Sequence, residues 1–161
     1  MAVQFMTAKE AARQIPDGAT VGTNGFMGTA FPEEIVQEIE NRFLETGKPE
    51  GLTLFFCAAQ GDNKSKGLQH MAHEGLLRRT IGGHYGMARK IGAMTAQDKI
   101  ETYDFPQGVL AQVLRSTAAH RPGVLTRVGL GTFVDPRVAG GKMNARTRAR
   151  SEERRVGKEC R

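Results

Sequence analysis

The sequence predicts an α/β fold in which a mainly parallel, open sheet carries helices on both faces. Three observations lead to this prediction. Segments with strand character alternate along the chain with segments of helical periodicity. The segment 52–59 (LTLFFCAA) is apolar at almost every position, which is typical of a strand covered on both faces. Glycine, histidine and glutamine residues follow the strands, at the carboxyl ends where such sheets bind their ligands.

The first two helices have clear boundary signals. A helix is predicted over 7–14, because Thr7 and Glu10 have the spacing of a capping box. A strand of small residues follows at 19–23, and after a glycine-rich turn Pro32 opens a second helix that ends near residue 45.

The later elements follow from the same patterns. Strands are predicted at 52–59, 79–83 and 100–105, with further strand material within 123–134, and helices at about 67–77, 87–97 and 106–119.

Composition limits the class of protein. A chain of 161 residues is one domain or a piece of a larger one, and its 39% hydrophobic and 25% charged residues are near the globular average. No apolar run approaches the roughly 20 residues that cross a bilayer, and no apolar secretory segment is visible near Met1. We therefore expect a cytoplasmic protein with no membrane partner.

The positive charge is concentrated at one end. The formal net charge is +6, and residues 146–161 hold seven basic and three acidic residues, a net +4. The preceding residues carry only +2, so we expect no nucleic-acid partner. Two cysteines, Cys57 and Cys160, exclude a disulfide framework.

Gly22, Gly25 and Gly28 recur every third residue after the first strand. Glycines allow a sharp turn and the close approach of a ligand, but the same pattern also suits a tight packing connection. It is neither the dinucleotide fingerprint nor a P-loop, because their glycine and lysine spacings are absent.

His70 and His73 are three residues apart, with Glu74 beside them. The pattern differs from the H-E-x-x-H zinc motif, and no third ligand is placed by sequence. We predict ordinary hydrogen bonds for these histidines and no metal site.

Pro106-Gln107-Gly108 places a side-chain amide in the first turn of a helix. That amide and the free N–H groups of the helix can face the negative charge that develops on a thioester oxygen. The alternative is that Gln107 caps its own helix.

Several motifs follow one another along the chain: Asp17-Gly18, Gly25-Phe26, Pro32, Gln60-Gly61-Asp62, Gly67-Leu68, His70, the sequence IGGHYG at 81–86, Pro106-Gln107-Gly108 and the sequence VGLGTFVDPR at 128–137. In this order they resemble the family I CoA-transferases, in particular the acetate, propionate or acetoacetate enzymes that fuse both halves in one long chain. The resemblance runs from about residue 6 to 148, and only Asn24 and Ala30 depart from the first motif.

The resemblance implies a truncated fold of the NagB/RpiA/CoA-transferase-like type and a ping-pong reaction of short-chain fatty acid or ketone body metabolism. In it a glutamate attacks an acyl-CoA thioester, and a glutamyl-CoA intermediate then passes CoA to a carboxylate. Coenzyme A is a substrate, and no cofactor is expected.

The resemblance also implies roles for particular residues. Gln107 matches a catalytic glutamine of the oxyanion hole, and Gly25, Phe26 and Gly28 match the substrate-binding wall. The nucleophilic glutamate belongs to the missing C-terminal half, so the fragment is expected to be inactive alone and the full-length chain to form a homo-oligomer. A non-catalytic effector-binding domain of the same fold is the alternative.

Two regions are predicted. Residues 1–149 form an incomplete N-terminal (alpha-half) domain, and residues 150–161 form a non-native or disordered tail. This tail resembles the translation of a common sequencing adapter; the alternative is a native basic tail that binds an acidic partner or nucleic acid.

Overall fold

The computed structural model describes residues 3–149, which contain a four-stranded parallel sheet with strand order β1-β2-β3-β4. The predicted parallel α/β architecture is confirmed. In chain order the elements are α1 (Ala8–Arg13), β1 (Thr20–Thr23), α2 (Glu33–Thr46), β2 (Leu52–Phe56), a 3-10 helix (Gly67–Met71), β3 (Leu77–Gly82), α3 (Arg89–Ala96), β4 (Glu101–Asp104) and α4 (Gln107–Ala118).

The connecting helices of the sheet form one layer. Each strand lies beside its predecessor, so right-handed crossovers place α2, the 3-10 helix and α3 on the same face. Contacts of α2 with α1 and of the 3-10 helix with α2 and α3 agree with this arrangement. The core between this layer and the sheet includes the fully buried residues Leu52, Leu54, Phe56, Leu68, Met71, Ile91 and Ile100.

The opposite face of the sheet carries a row of half-buried apolar side chains. Phe55, Ile81 and Tyr103 are register neighbours on β2, β3 and β4, so they point to the same side. Phe105 stacks on Tyr103 with ring centroids 6.1 Å apart. This face is therefore apolar and only partly covered by the described residues.

Residues 142–147 pack along the outer edge of β4. The Met143 N–H donates to the Thr102 carbonyl at 2.9 Å, and the Thr102 N–H donates to Thr147 Oγ1 at 2.8 Å. The buried Asn144 amide donates to the carbonyls of Thr95 and Ile100 at 3.0 and 2.9 Å. The folded body thus extends at least to residue 147, while the predicted tail at 150–161 lies outside the described residues.

The capping box of α1 is confirmed. Glu10 N–H donates to Thr7 Oγ1 at 3.2 Å, and Thr7 N–H donates to the Glu10 carboxylate at 2.7 Å. The second helix, predicted to end near residue 45, ends at Thr46, and Gly47 follows it in the left-handed region with φ of 71°.

Two predicted elements are wrong. The helix over 67–77 is only a 3-10 helix to Met71, because Glu33 and Gln60 bind the N–H groups of Gly67 and Leu68 and a positive φ at Gly75 leads into β3. The strand material within 123–134 is absent from the described structure. Instead that segment forms turns, with positive φ at the glycines of the GLGT sequence. None of the described helices has the length and apolar character needed to cross a membrane.

Candidate functional site

The predicted site residues follow β1 and β4 at one edge of the sheet. Because the strands are parallel, their carboxyl ends all meet at this edge. The turn that contains Gly25, Phe26 and Gly28 follows β1, and Gln107 follows β4. This is the edge at which open α/β sheets bind ligands.

The turn after β1 is a tight hairpin. Phe26 and Thr29 exchange two backbone hydrogen bonds of 3.0 Å each. Gly25 has φ of 135°, and a Cβ at this position would lie 2.8 Å from the Thr29 carbonyl oxygen, so only glycine fits. A Cβ on Gly28 would meet nothing within 4 Å, and the Phe26 side chain is 64% exposed. The hairpin therefore presents an open surface on a constrained backbone.

Ala30 closes this hairpin with φ of 56°. The left-handed region costs an L-residue about 1–2 kcal/mol relative to glycine. This backbone conformation suits glycine, so the departure of Ala30 from the first motif costs free energy at this position.

Gln60 joins the hairpin to the end of β2. It is completely buried, accepts from Thr23 Oγ1 at 2.8 Å and donates to the Gly25 carbonyl at 3.3 Å. Next to it, the Gly61 N–H donates to the Met27 carbonyl at 2.7 Å. No role is predicted for Gln60 from the sequence, where its only signal is a lone amide directly after a long apolar segment.

A compact loop at 61–67 faces the hairpin. The Asp62 carboxylate accepts from the N–H groups of Lys64, Ser65 and Lys66 at 2.8–2.9 Å. Hydrogen bonds from Lys66 and Lys64 lower the pKa of Asp62 to about 2. A Cβ on Gly61 would lie 2.3 Å from the Lys66 carbonyl oxygen, so the ends of the loop touch.

A cavity of about 410 Å³ lies between the hairpin and this loop. It combines apolar walls with two carboxylates and one ammonium group, the mixture that binds a ligand with both apolar and charged parts. Its lining residues are Met27, Gly28, Phe31, Glu33, Gly61, Asp62, Lys66 and Met87.

Gln107 is the first residue of α4 and is exposed. A Cβ on Gly83 would lie 2.6 Å from Gln107 Cγ and 2.5 Å from the Cys57 carbonyl oxygen, so glycine lets the Gln107 stem lie against the ends of β2 and β3. The N-cap of α4 has no side-chain hydrogen bond, and the Gln107 amide bonds to no residue within 3–149. The amide is therefore available to a ligand, which the capping alternative would not allow.

A second cavity, of about 340 Å³, lies beside the start of α4. Asp104 lines it, and burial raises the pKa of this carboxyl group while nearby His84 opposes the shift. Its other walls are Gly83, Phe105, Pro106, Gly129, Thr132, Phe133 and Val134.

The predicted site residues thus form two groups along one edge. Gly25, Phe26 and Gly28 lie with Gln60 at β1 and β2, and Gln107 lies with Gly83 at β3 and β4. No contact described within residues 3–149 joins the two groups.

His70 and His73 do come together, as the spacing suggested, through the two oxygens of Glu40. Within residues 3–149, no three His, Cys, Asp or Glu side chains are arranged to hold a metal ion. The hydrogen bonds expected for both histidines are confirmed.

The comparisons with known proteins agree with the motifs. A family model described as Coenzyme A transferase matches residues 5–154. The chain belongs to the coenzyme A transferase family. It is 44% identical to the caffeate CoA-transferase of Acetobacterium woodii over 141 residues, which are 88% of this chain and 27% of that protein. It is 37% identical to the acetate CoA-transferase YdiF of Escherichia coli K12, over 91% of this chain and 28% of YdiF.

Solved structures give the same result for the fold. A crystal structure of the acyl-CoA transferase YdiF apoenzyme from Escherichia coli O157:H7 matches with a TM-score of 0.84 and 38% identity. Its thioester complex with CoA matches with a TM-score of 0.86. Each covers 88% of this chain, which spans about 28% of their length. The family resemblance is confirmed, and the effector-binding alternative is not favoured.

Proposed function

We propose that the chain is the N-terminal part of an acyl-CoA:carboxylate CoA-transferase that acts on short-chain acyl-CoA substrates. The names of the relatives and the 27–28% of their length that the chain spans support this proposal. The acetate CoA-transferase subunit alpha of Escherichia coli K12 is 30% identical over 84% of this chain, which supports assignment to the alpha half.

The proposed reaction has two half-reactions. A glutamate of the absent C-terminal half attacks the thioester carbonyl, and the CoA thiolate leaves as an acyl-glutamyl anhydride forms. The thiolate then attacks the glutamyl carbonyl and releases the first carboxylate. A second carboxylate then goes through these steps in reverse and leaves as a new acyl-CoA thioester, which frees the glutamate. Each attack places negative charge on a carbonyl oxygen, which needs hydrogen-bond donors.

Gln107 is the proposed catalytic donor. Its free amide at the amino end of α4 is the single observation that carries this role, because the helix end favours negative charge at the same place. Gly25, Phe26 and Gly28 are the proposed substrate-binding wall, with the rigid backbone of Gly25 holding the exposed Phe26 ring.

The remaining parts of the proposal concern the whole enzyme. The fragment alone lacks the nucleophile and is inactive, and the full-length chain forms a homo-oligomer. A role in short-chain fatty acid or ketone body metabolism and a cytoplasmic location complete the proposal. The thiol of Cys57, which is free, is compatible with a reducing compartment.

The test is a chimera of residues 1–149 with the remainder of Escherichia coli YdiF, assayed for CoA exchange between acetyl-CoA and propionate. Gln107→Ala is expected to lower kcat by about 10²–10³ because one oxyanion donor is lost. Gln112→Ala, an exposed glutamine on the same helix, is the control and retains full activity. Undiminished exchange in Gln107→Ala would refute its role, and a chimera without any exchange would contradict the transferase proposal.

A further inference from the structure

Hydrogen bonds of Glu33, His70 and Glu40 connect α2 to the 3-10 helix and to the end of the 61–67 loop. Glu33 Oε2 accepts from the Gly67 N–H at 2.9 Å, and Glu33 Oε1 lies 3.1 Å from His70 Nε2. His70 Nδ1 hydrogen bonds to a carboxylate oxygen of Glu40, about two turns after Glu33 on the same helix. The side chains of His70 and Glu40 are only 13% and 16% exposed.

Both ring nitrogens of His70 face carboxylate oxygens. Ionised carboxylates only accept hydrogen bonds, so both contacts can form together only when each ring nitrogen carries a proton. Loss of one proton would leave a nitrogen lone pair facing a carboxylate oxygen, and one contact would break.

We propose that Glu33, His70 and Glu40 form a proton-dependent latch that holds the 61–67 loop closed over the cavity beside Met27 and Gly28. Glu33 is the positioning residue, because it lines that cavity and also binds the end of the loop. The inference rests on the proposed function only in treating this cavity as part of the substrate site.

The carboxylate of Glu40 lies between the two histidines. Burial disfavours the charged form of Glu40, but hydrogen bonds from His73 and His70 outweigh it and lower the pKa of Glu40. Glu40 is therefore held as the ionised carboxylate that accepts from both rings. His73 Nε2 holds the second oxygen of Glu40 at 2.5 Å.

Other charged groups lie near the latch without touching His70. From the loop, Asp62 and Lys66 line the cavity with Glu33. From α3, which packs on the 3-10 helix, Arg89 and Lys90 are exposed, and it is the backbone N–H of Lys90 that donates to Gln69. Beyond His73, Glu74 pairs with Lys99.

The test is hydrogen exchange of the 161-residue chain followed by mass spectrometry over a pH series, corrected for intrinsic rates. Exchange of the His70 C2 proton in the same samples reports its ionisation. Protection of the 61–68 amides is expected to fall about tenfold as His70 loses its proton, because a charge-assisted hydrogen bond is lost. Peptides from β2 serve as the reference for global unfolding.

Variants separate the latch from general stability. Glu33→Ala is expected to lower the protection of the loop amides about tenfold and to abolish the change of this protection with pH. Glu33→Gln keeps an acceptor for the Gly67 N–H, so it is expected to keep the protection and to lose only its change with pH. Glu34→Ala removes an exposed carboxylate from the same helical turn and changes neither.

Two results would overturn the latch: loop protection that does not change across the ionisation of His70, or equal effects of Glu33→Ala and Glu34→Ala. If Glu33→Ala also exposes β2, the pH dependence of loop protection in the wild-type chain and its absence in Glu33→Gln decide alone. No transferase activity is needed, so failure of the latch and failure of the proposed function are distinguishable.

Discussion

Among the individual residues, Gly25 and Gly28 have opposite surroundings although the sequence pattern treats them alike. Gly25 has a positive φ and its backbone lies against Thr29, whereas Gly28 faces open space. The repeated spacing of three is therefore not one motif with one role. Gly25 is required by the backbone of the hairpin, and Gly28 is free to serve as a surface of the cavity.

Gly25→Ala is expected to lower the free energy of unfolding by about 1–3 kcal/mol, since it strains φ and overlaps the Thr29 carbonyl. Gly28→Ala is the matched control and should change it by less than about 0.5 kcal/mol. Urea denaturation of the 161-residue chain followed by circular dichroism gives both values. Equal losses in the two variants would show that the hairpin conformation is not as described.

At the level of elements, the 61–67 loop owes its shape to one carboxylate. Asp62 accepts three backbone N–H groups, which a turn of this length otherwise leaves to water. The sequence Gln60-Gly61-Asp62 marked the loop as a motif. It did not indicate that Asp62 folds the loop onto itself and that Glu33 holds its far end.

The loop is expected to open in acid. The pKa of Asp62 is lowered from 3.8 to about 2, so its contribution is complete above about pH 4 and is lost as pH falls through 2. Amide exchange of 63–66 between pH 5 and pH 2, with β2 peptides as the folded reference, measures this opening. Asp62→Asn keeps an acceptor oxygen but no titration, so a loop that still opens in acid in this variant would contradict the assignment.

Two elements show where periodicity misleads. The 67–77 segment has helical spacing in its histidines, yet the tertiary contacts of Glu33, Gln60 and Glu40 hold it as a single 3-10 turn. The GLGT sequence looks like a strand, but its glycines adopt positive φ, and the Gly131 N–H binds the buried Asp135 carboxylate. In the first case distant groups overrode the local preference, and in the second the glycines and a carboxylate four residues away did so.

For the molecule as a whole, the described surface carries large apolar side chains in two places. Phe55, Ile81 and Tyr103 line the partly covered face of the sheet. The segment after α4 exposes the large apolar side chains Leu125, Val128, Leu130, Phe133 and Val138. Extended apolar surfaces of this kind mark contacts with other parts of a protein.

The isolated 161-residue chain is therefore expected to self-associate. Size-exclusion chromatography with light scattering measures this, and the double variant Leu125→Lys, Val128→Lys should reduce association while leaving the circular dichroism spectrum unchanged. Leu44→Lys, an exposed residue on α2 away from this segment, is the control. A monodisperse wild-type monomer would contradict the prediction.

The sequence by itself determined the parallel α/β sheet and the ends of α1 and α2. These features depend on local patterns: apolar runs, the Thr7–Glu10 capping box and the glycine after α2. The positions of the family motifs also predicted that the site lies at the carboxyl ends of the strands.

Only the tertiary structure decided which side chains meet at that edge. Gln60 reaches back to Gly25, and Glu33 and Glu40 enclose His70, across separations of 30 to 37 residues. Such pairs exist because a buried polar group must find its partner wherever the assembled sheet and helices bring one. Nothing in the local sequence of either partner specifies that choice.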